Sequence, residues 1–431
     1  MIGEFERPAR LRLGQDRALV RYLRNQVAPY SRFHQDALGS RPVDGRNALT
    51  SLPLVELADV TDPADIVLRP TSDQLAVAPD RELRMQWWWA RIRRRTDAFN
   101  REVLEPRYKP IHWHAATSES GSVPIGYTAA DLERLAEVGR AGLEMAGLTP
   151  EDVLVSVFPP GSTLDFWQVH LGARRAGVPS LFLDPSVAPD EVARLRPSVL
   201  AGRSGDLIRL LESGRDAGFS FAGLSTLLVI GEPLDPARRA RLAEVGGSPS
   251  GPVAVVATWA PPGVRALWTE CRDGIDVHTW PTAEVVELVD PLSGQPVPPG
   301  ADGELVWTPV GWMGSVVVRL RTGVFGCIDD TACVSCGRTS PRLRVVDPMP
   351  PFARILDDHP GVALWQAELR IHDGAEELIV ILAPAVSGHP GRLLRELDRQ
   401  LSVTQFVVLD RRAMSARLQA SGDKRVVDHR A

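Results

Sequence analysis

Hydroxyl-bearing and small side chains are concentrated in one stretch of the sequence, from Ile111 to Thr128. A strand followed by a loop of serine, threonine and glycine brings backbone N–H groups and hydroxyls close to phosphate oxygens. We therefore predict a phosphate-binding loop between a short aromatic strand and a helix that begins at Thr128. Glu119 and the lack of a lysine give this loop the wrong charge for a phosphate. The small and hydroxyl residues of the loop are Thr117, Ser118, Ser120, Gly121 and Ser122.

Three cysteines and one histidine form a second candidate site. Cys333 and Cys336 make a Cys-x-x-Cys pair, and Cys271 is followed by His278 in an earlier segment. A Cys₃His set is typical of a tetrahedral structural Zn²⁺ site, so the sequence predicts a structural zinc. Cys327 is an alternative ligand if Cys333 points away. Reduced, buried cysteines are the explanation that needs no metal.

Two clusters of aromatic side chains each have a structural and a functional interpretation. His112 and His114 share one face of a predicted strand and could bind a metal, but core or solvated histidines are the interpretation we favour. Trp87, Trp88 and Trp89 are consecutive, so on a helix their rings point in different directions. We expect them to anchor the N-terminal helices on the main domain rather than to bind a ligand.

Composition narrows the class of protein. The chain has 431 residues, 44% of them hydrophobic and 24% charged, which suits a globular protein of two or three domains. The net charge of −5 argues against a nucleic-acid partner, and the basic run from Arg91 to Arg95 predicts a solvated helix face. No apolar stretch approaches the ~20 residues that span a membrane, and no signal peptide is evident. We expect a cytoplasmic protein without a membrane partner.

The order of elements predicts a mixed α/β fold. An amphipathic helix is expected from Asp16, ending before Pro29. From Val153 to Gly231, continuous apolar strands alternate with helices, which indicates a mostly parallel sheet covered on both faces. In such sheets ligands bind at the carboxyl ends of the strands, where the turn Gly231-Glu232-Pro233 should lie.

The predicted order changes in the second half of the chain. Short strands with Gly/Pro turns, such as Glu284 to Pro291, indicate an antiparallel sheet or small barrel. A proline-rich hinge, Asp347 to Pro351, separates a small α+β segment. We therefore predict a large N-terminal domain (1–346) and a small C-terminal domain (347–431). The N-terminal domain should comprise a helical part (about 1–110), a parallel α/β part (about 111–252) and a barrel and zinc part (about 253–346).

Several motifs occur together in a specific order. They are TSESGSVP followed by GYTAADL, then VIGEPLDPARRARL, TEC, VDPLSGQPVPPGADGELVWT, VRLRTG, CVSCGRTSPR and DKRVVDHR. With them the chain resembles the phenylacetate-CoA ligase-like branch of the adenylate-forming (AMP-binding) superfamily over essentially its whole length. The resemblance implies a large N-terminal domain with parallel sheets and a distorted β-barrel, followed by a small, mobile C-terminal domain.

The resemblance also implies an activity and its participants. Members of this family join a small carboxylic acid to AMP by using ATP and Mg²⁺, and then pass the acyl group to CoA; a carrier protein is an alternative acceptor. Lys424 is the candidate for the catalytic lysine, although Gly422 competes for that position. Zinc-bearing relatives carry their ligands in the segments of Cys271, His278, Cys333 and Cys336. The implied nucleotide-binding residues are Thr117, Ser118, Ser120, Gly231, Glu232, Pro233 and Trp259.

Four family features of the nucleotide site are changed in this chain. In the phosphate loop both glycines are displaced and Glu119 is inserted; the acid that holds Mg²⁺ is replaced near Pro262; and the ribose-binding aspartate is Val324. The hinge motif is missing between Arg344 and Phe352. The first hypothesis is a ligase that activates a carboxylic acid such as an aryl acid, and the second is a catalytically weak or silent relative that binds a small molecule or a partner. A third is an enzyme that uses the acyl pocket for ATP-independent chemistry, for which the sequence shows no nucleophile–base pair.

Overall fold

The structure is a computed structural model. The chain folds into two compact units, Met1–Val346 and Asp347–Ala431. That residues 1–346 and 347–431 are separate domains, each able to fold by itself, stays a prediction. The described residues are 8–39, 49–50, 52–118, 121–161, 163–247, 251–291, 293–298, 300–346, 356, 359, 361–372, 375–385, 390–399, 401, 403–420 and 426–428.

Helices form the N-terminal part of the first unit. The helix predicted from Asp16 begins earlier, at Pro8, and the helical path continues past Pro29, so the prediction was wrong at both ends. Leu23–Val27 is a π-helical turn, and Pro29 lies in the first turn of the next helix, the position in a helix that proline tolerates best. The helices are α1 (Pro8–Tyr22), α2 (Ala28–Tyr30), α3 (Gln35–Gly39), α4 (Ser72–Ala76), α5 (Arg81–Ile92), α6 (Thr96–Phe99) and α7 (Glu105–Tyr108).

The predicted phosphate loop is the turn of a β-hairpin. Strand β1 (His112–Ser118) pairs antiparallel with β2 (Gly121–Tyr127), which returns the chain to the helix at Thr128. The expectation of a strand, a loop and then a helix was therefore wrong, because Val123 and Ile125 alternate with exposed residues and make a second, half-buried strand. The turn residues Glu119 and Ser120 lie outside the described residues.

The helix after the hairpin begins at Thr128, as predicted. In α8 (Ala129–Met145) the Thr128 hydroxyl accepts a hydrogen bond from the Asp131 N–H, and the Asp131 carboxylate accepts one from the Thr128 N–H. This reciprocal capping box satisfies two backbone donors that the helix cannot. Gly147 follows the last turn with φ +87, a conformation that glycine adopts without strain.

A sheet of eleven strands forms the centre of the first unit. Its first half is parallel, as predicted, and alternate strand residues point to opposite faces. Leu154 and Leu228 pack on one face, against α8 and the helix Leu164–Ala176. Val155 and Leu227 pack on the other face, against the helices Ser204–Asp216 and Pro236–Gly246. The parallel half comprises β3 (Leu154–Ser156), α9 (Leu164–Ala176), β4 (Ser180–Phe182), α10 (Pro189–Arg194), β5 (Val199–Gly202), α11 (Ser204–Asp216), β6 (Thr226–Ile230), α12 (Pro236–Gly246) and β7 (Ala254–Trp259).

The other half of the same sheet is antiparallel. The strand order is β10-β11-β12-β13-β9-β8-β7-β6-β5-β3-β4, so the strands predicted as an antiparallel sheet or barrel continue the parallel half beyond β7. Gly/Pro turns connect them, which is why the change in character was visible in the sequence. They are β8 (Trp268–Glu270), β9 (Val277–His278), β10 (Glu284–Val289), β11 (Gly303–Pro309), β12 (Leu320–Asp329) and β13 (Arg342–Val346).

The second unit is a small α+β structure. Its sheet has the order β16-β15-β14-β17, with β14 and β15 antiparallel and the outer strands parallel to their neighbours. The predicted hinge from Asp347 to Pro351 lies outside the described residues. The elements are β14 (Val362–His372), β15 (Ala375–Pro384), α13 (Gly391–Asp398), β16 (Gln405–Val408), α14 (Arg411–Ala420) and β17 (Val426–Asp428).

A buried ion pair connects the hairpin, helix α8 and the loop before β12. Arg265 and Asp131, each about 1% exposed, lie 3.1 Å apart between Nη2 and a carboxylate oxygen. Arg265 also donates to the Gly126 carbonyl at 2.8 Å, and Asp131 accepts from the N–H groups of Met313 and Gly314 at 2.9 and 2.8 Å. A Cβ on Gly314 would lie 2.1 Å from the Gly126 carbonyl oxygen, so this approach requires glycine.

Among the described residues, no helix is long and apolar enough to cross a membrane.

We expect Arg265→Met to lower the free energy of unfolding of the first unit by about 3–5 kcal/mol, because it leaves Asp131 buried without its cation. The control is Arg140→Met on the exposed face of α8, where pairs with Glu137 and Glu144 should contribute less than ~1 kcal/mol. Urea unfolding followed by tryptophan fluorescence measures both. Equal losses in the two variants would contradict a structural role for the buried pair.

Candidate functional site

The parallel strands end at one edge of the sheet, and chemically useful residues follow them there. Phe158 follows β3, Arg203 follows β5 and Gly231 follows β6, while Trp259 is the last residue of β7. The guanidinium of Arg203 lies 5.4 Å from the centre of the Phe158 ring. The turn that begins at Gly231 is thus where the sequence predicted it, at the edge where open α/β sheets bind ligands.

Asp165 brings a carboxyl group to this edge. It lies in the first turn of α9, and a Cβ on Gly231 would lie 3.3 Å from its Oδ1. Gly231 has φ +85, so glycine suits both the turn and the contact. Burial raises the pKa of Asp165 to about 6, while its own backbone N–H and then Arg203 act in the opposite direction. The carboxyl group can therefore exchange a proton close to neutral pH.

Two imidazoles lie at the base of the hairpin, against α9. The His112 ring is 4.7 Å from the His114 ring and 4.4 Å from the Trp167 ring, and His114 is 4.3 Å from Tyr127. Burial lowers the pKa of His112. Burial, then His112 and Arg265, lower the pKa of His114 to about 3. Both rings are therefore neutral near pH 7, each with one donor and one acceptor nitrogen.

These imidazoles carry buried polar atoms without partners. Among the described residues, neither ring nitrogen of His114 nor Nε2 of His112 has a hydrogen-bond partner, and the same holds for the Thr163 hydroxyl and His170 Nδ1. Buried polar atoms are usually paired with protein, water or a ligand. These unpartnered atoms are therefore candidates for hydrogen bonds to a water or to a polar group of a ligand.

Sequence reasoning missed Asp165 and Trp167 as site residues. The available signal was their position, because both follow the carboxyl end of β3 and belong to the first turns of the next helix. His114 is buried, which fits the interpretation of a core histidine that the sequence favoured. The metal-ligand cluster of the described residues includes neither His112 nor His114.

Only some of the residues predicted to bind nucleotide have side chains in the described part of the chain. Thr117 donates from its hydroxyl to Ser122 across the hairpin at 3.3 Å. Glu232 accepts from the Ser204 N–H at 2.7 Å and pairs with Arg238, so its carboxylate is already engaged. The Ser118 side chain lies outside the described part of the chain, as do Ser120, Gly422 and Lys424. Their roles stay predictions.

Trp259 is buried at the end of β7. Its ring packs edge-to-face on Trp268, with ring centres 5.5 Å apart, and belongs to the main apolar cluster. A purine could stack on Trp259 only after these contacts open, so this role also stays a prediction.

The two replaced acids leave no carboxylate at their positions. Val324 lies in β12 and packs against the main apolar cluster, whereas Pro262 is exposed in the turn after β7. Neither side chain can accept a hydrogen bond from a ribose or bind a metal. The residues present therefore do not fit the family's way of holding ribose and Mg²⁺.

The four predicted metal ligands come together in the antiparallel half of the sheet. Cys271 follows β8, His278 belongs to β9, and the Cys-x-x-Cys pair lies in the turn between β12 and β13. Their ligand atoms all lie within 4.8 Å of one another. Cys271 Sγ is 3.8 Å from Cys333 Sγ, and Cys336 Sγ is 3.5 Å from His278 Nε2. These separations suit the corners of a tetrahedral site.

Burial and neighbouring charges shift the pKa values of His278 and Cys271, two of the four ligands. Burial, then Arg338 and Arg342, lower the pKa of His278 to about 4, so its imidazole is neutral. His278 Nδ1 lies 3.0 Å from the Ser340 hydroxyl, which orients the ring as partners of metal-bound histidines do. Burial and then the neighbouring thiols raise the pKa of Cys271 to about 12. A bound cation would favour its thiolate.

Cys327 does not join this cluster. It lies in the middle of β12, where it is paired in register with Arg344 of β13. The alternative in which Cys327 replaces Cys333 is therefore wrong, because the thiol of Cys333 lies beside that of Cys271.

In sequence the chain is similar to phenylacetate-coenzyme A ligases. It is 30% identical to that of Thermus thermophilus over 244 residues, which are 55% of this chain and 54% of that protein. The corresponding protein of Escherichia coli is 24% identical over 224 residues, or 50% of this chain and 51% of its own length. The chain thus spans about half the length of the relatives that it matches. No protein-family model matches.

In structure the likeness extends along nearly the whole chain. A crystal structure of 2-hydroxyisobutyryl-CoA ligase with 2-HIB-AMP and CoA has a TM-score of 0.62 at 17% identity, covering 99% of this chain and 91% of that one. An open conformation of the same ligase has a TM-score of 0.64 and covers 97% and 87%. At such identities the likeness concerns the fold.

The fold is that of adenylate-forming enzymes, with a large mixed α/β sheet and a smaller C-terminal sheet. The sequence similarity that accompanies this fold is to phenylacetate-coenzyme A ligases, over about half of the chain.

Proposed function

We propose that this protein activates a small carboxylic acid with ATP as an acyl-adenylate and transfers the acyl group to CoA or to a carrier protein. The observation that carries this proposal is the 30% identity to a phenylacetate-coenzyme A ligase over 244 residues, which adds a specific relative to the shared fold. The chain spans about half of that relative, so acid, acceptor and reaction are all proposals.

The edge formed by Asp165, Gly231 and the hairpin base is the proposed place for the acid. Aromatic rings surround it, since Trp167 packs on His112 and Phe166 packs on Phe182 with ring centres 5.2 Å apart. Such walls suit an aryl acid, and the unpartnered imidazole nitrogens can donate to its carboxylate.

ATP and Mg²⁺ are the cofactors that the proposed reaction needs. ATP supplies the adenylyl group, and Mg²⁺ balances charge on its phosphates. Because the family's Mg²⁺ and ribose ligands are replaced by residues such as Pro262 and Val324, no step is assigned to this metal. Lys424 is the proposed catalytic lysine, and Arg203 is a cation at the same edge as Asp165.

A second function is favoured by one observation. Val324, to which the resemblance assigns the place of the ribose-binding aspartate, is partly buried against the main apolar cluster and offers no carboxylate. A catalytically weak or silent protein, which binds a small molecule or a partner through the same edge, is the alternative.

We also propose that Cys271, His278, Cys333 and Cys336 hold a structural Zn²⁺. All four tetrahedral positions would be filled by protein, so the ion would connect the β8–β9 segment with the turn before β13 and would not activate water.

We expect the purified chain to bind ATP·Mg²⁺ in calorimetric titration and to form hydroxamates from aryl acids when hydroxylamine traps the acyl group. Asp165→Asn should lower hydroxamate formation, because it changes a carboxyl group at the edge where the acid is proposed to bind, whereas the control Asp190→Asn, on the surface of α10, should not change it. Absence of both binding and hydroxamate would contradict the ligase proposal in favour of the silent alternative. Full activity of Asp165→Asn would instead show that the site has been misplaced.

For the metal, elemental analysis should give about one Zn²⁺ per chain. Cys336→Ser should lose most of it and melt at a lower temperature, since a structural metal contributes folding free energy. Cys327→Ser is the matched control and should keep both metal and stability. A metal-free protein that melts at the same temperature with and without a chelator would contradict the zinc assignment.

A further inference from the structure

Helix α5 has two apolar faces. Leu83 and Trp87 pack with Leu75 and Phe99 in a small buried cluster. On the opposite face a second apolar stripe follows the spacing i, i+3, i+4, i+7, which places its side chains in one row. We call this row the outer stripe. Its members and their exposed fractions are Met85 (49%), Trp88 (45%), Trp89 (53%) and Ile92 (68%).

Two expectations concern this segment. The run from Arg91 to Arg95 is exposed, as predicted. The three tryptophans were predicted to anchor the N-terminal helices, but only Trp87 is buried, and Trp88 and Trp89 meet solvent. Val77, at the end of α4, is also 75% exposed. Single exposed apolar residues are ordinary, but a continuous row of large ones marks an interaction surface.

Arginines border the outer stripe on both sides. The Arg91 guanidinium lies 5.8 Å from the Trp88 ring centre, and that of Arg93 lies 5.3 Å from the Trp89 ring centre. Among the described residues, neither arginine forms an ion pair. From Arg81 to Arg95 the sequence has six arginines and one acid, in a chain whose net charge is −5. The segment is therefore a local cationic region.

We propose that the outer stripe docks onto an anionic membrane surface. Tryptophan rings prefer the headgroup region, where one part of the ring is apolar and another is wet. Arginine stems cover apolar surface while their guanidinium groups reach phosphates. A helix with an apolar row and arginine borders lies in such an interface without crossing it. The outer stripe is not part of the proposed acid site, so this proposal does not depend on the proposed function.

Charge complementarity favours this occupant. Lipid headgroups offer many negative charges over a flat area, which suits cations on both sides of a stripe. One ring of the outer stripe is already held in place, because Trp88 Nε1 donates a hydrogen bond to the Ala76 carbonyl at 3.2 Å. Binding would not require the helix to form first.

The test is flotation of the full chain with vesicles of phosphatidylcholine alone or mixed with phosphatidylserine. We expect binding to the anionic vesicles only, a blue shift of tryptophan emission, and weaker binding at high salt. The double variant Trp88→Ala/Trp89→Ala should lower binding by about tenfold or more, and Arg91→Gln/Arg93→Gln by about tenfold. Thermal melting verifies that each variant is folded.

The matched control removes the same charge elsewhere. Arg209→Gln/Arg241→Gln changes two exposed arginines that already pair with acids and should leave binding unchanged. The proposal is overturned if the unaltered chain does not bind anionic vesicles at low salt, or if the tryptophan variant binds as well as the unaltered chain. It is also overturned if the tryptophan variant only converts a dimer to a monomer, which would assign the stripe to a second copy.

Discussion

The buried pair of Arg265 and Asp131 is the interaction on which the first unit depends. Burying two charges is costly unless they are paired and hydrogen-bonded, and here the hydrogen-bond partners come from several segments. Asp131 caps α8 and accepts from the loop before β12, while Arg265 reaches the hairpin carbonyl at Gly126. Its guanidinium also lies 4.2 Å from the Tyr127 ring centre. The pair thereby holds the base of the hairpin, which carries His112 and His114, next to α8.

The continuous sheet explains how one unit carries two different sites. Its parallel half ends in loops at a single edge, where unpaired polar atoms and a raised carboxyl pKa suit a ligand. In its antiparallel half β8 and β9 have only three and two residues, and the Cys₃His cluster lies where β8, β9 and the turn before β13 meet. A metal there would connect strands that have few residues with which to hold one another.

The sequence predicted the regular parts because local rules decide them. Helix α8 and its Thr128 cap follow from periodicity and capping chemistry, and the metal ligands follow from spacing. The hairpin was missed because the phosphate-loop interpretation took precedence over the alternation of Val123 and Ile125. The two faces of α5 were missed because both rows are apolar, and only the packing of Trp87 shows which one is covered. The role of Asp165 depends on contacts with Gly231, which no local pattern reveals.

Hydrogen–deuterium exchange of the full chain, with and without ATP·Mg²⁺ and an aryl acid, tests most directly whether the carboxyl edge of the parallel strands is the working site. The account predicts slower exchange in the peptides that contain Asp165 and Gly231 and in the hairpin peptide that contains His114. No change in these peptides, or protection confined to the segment around Cys333, would contradict it.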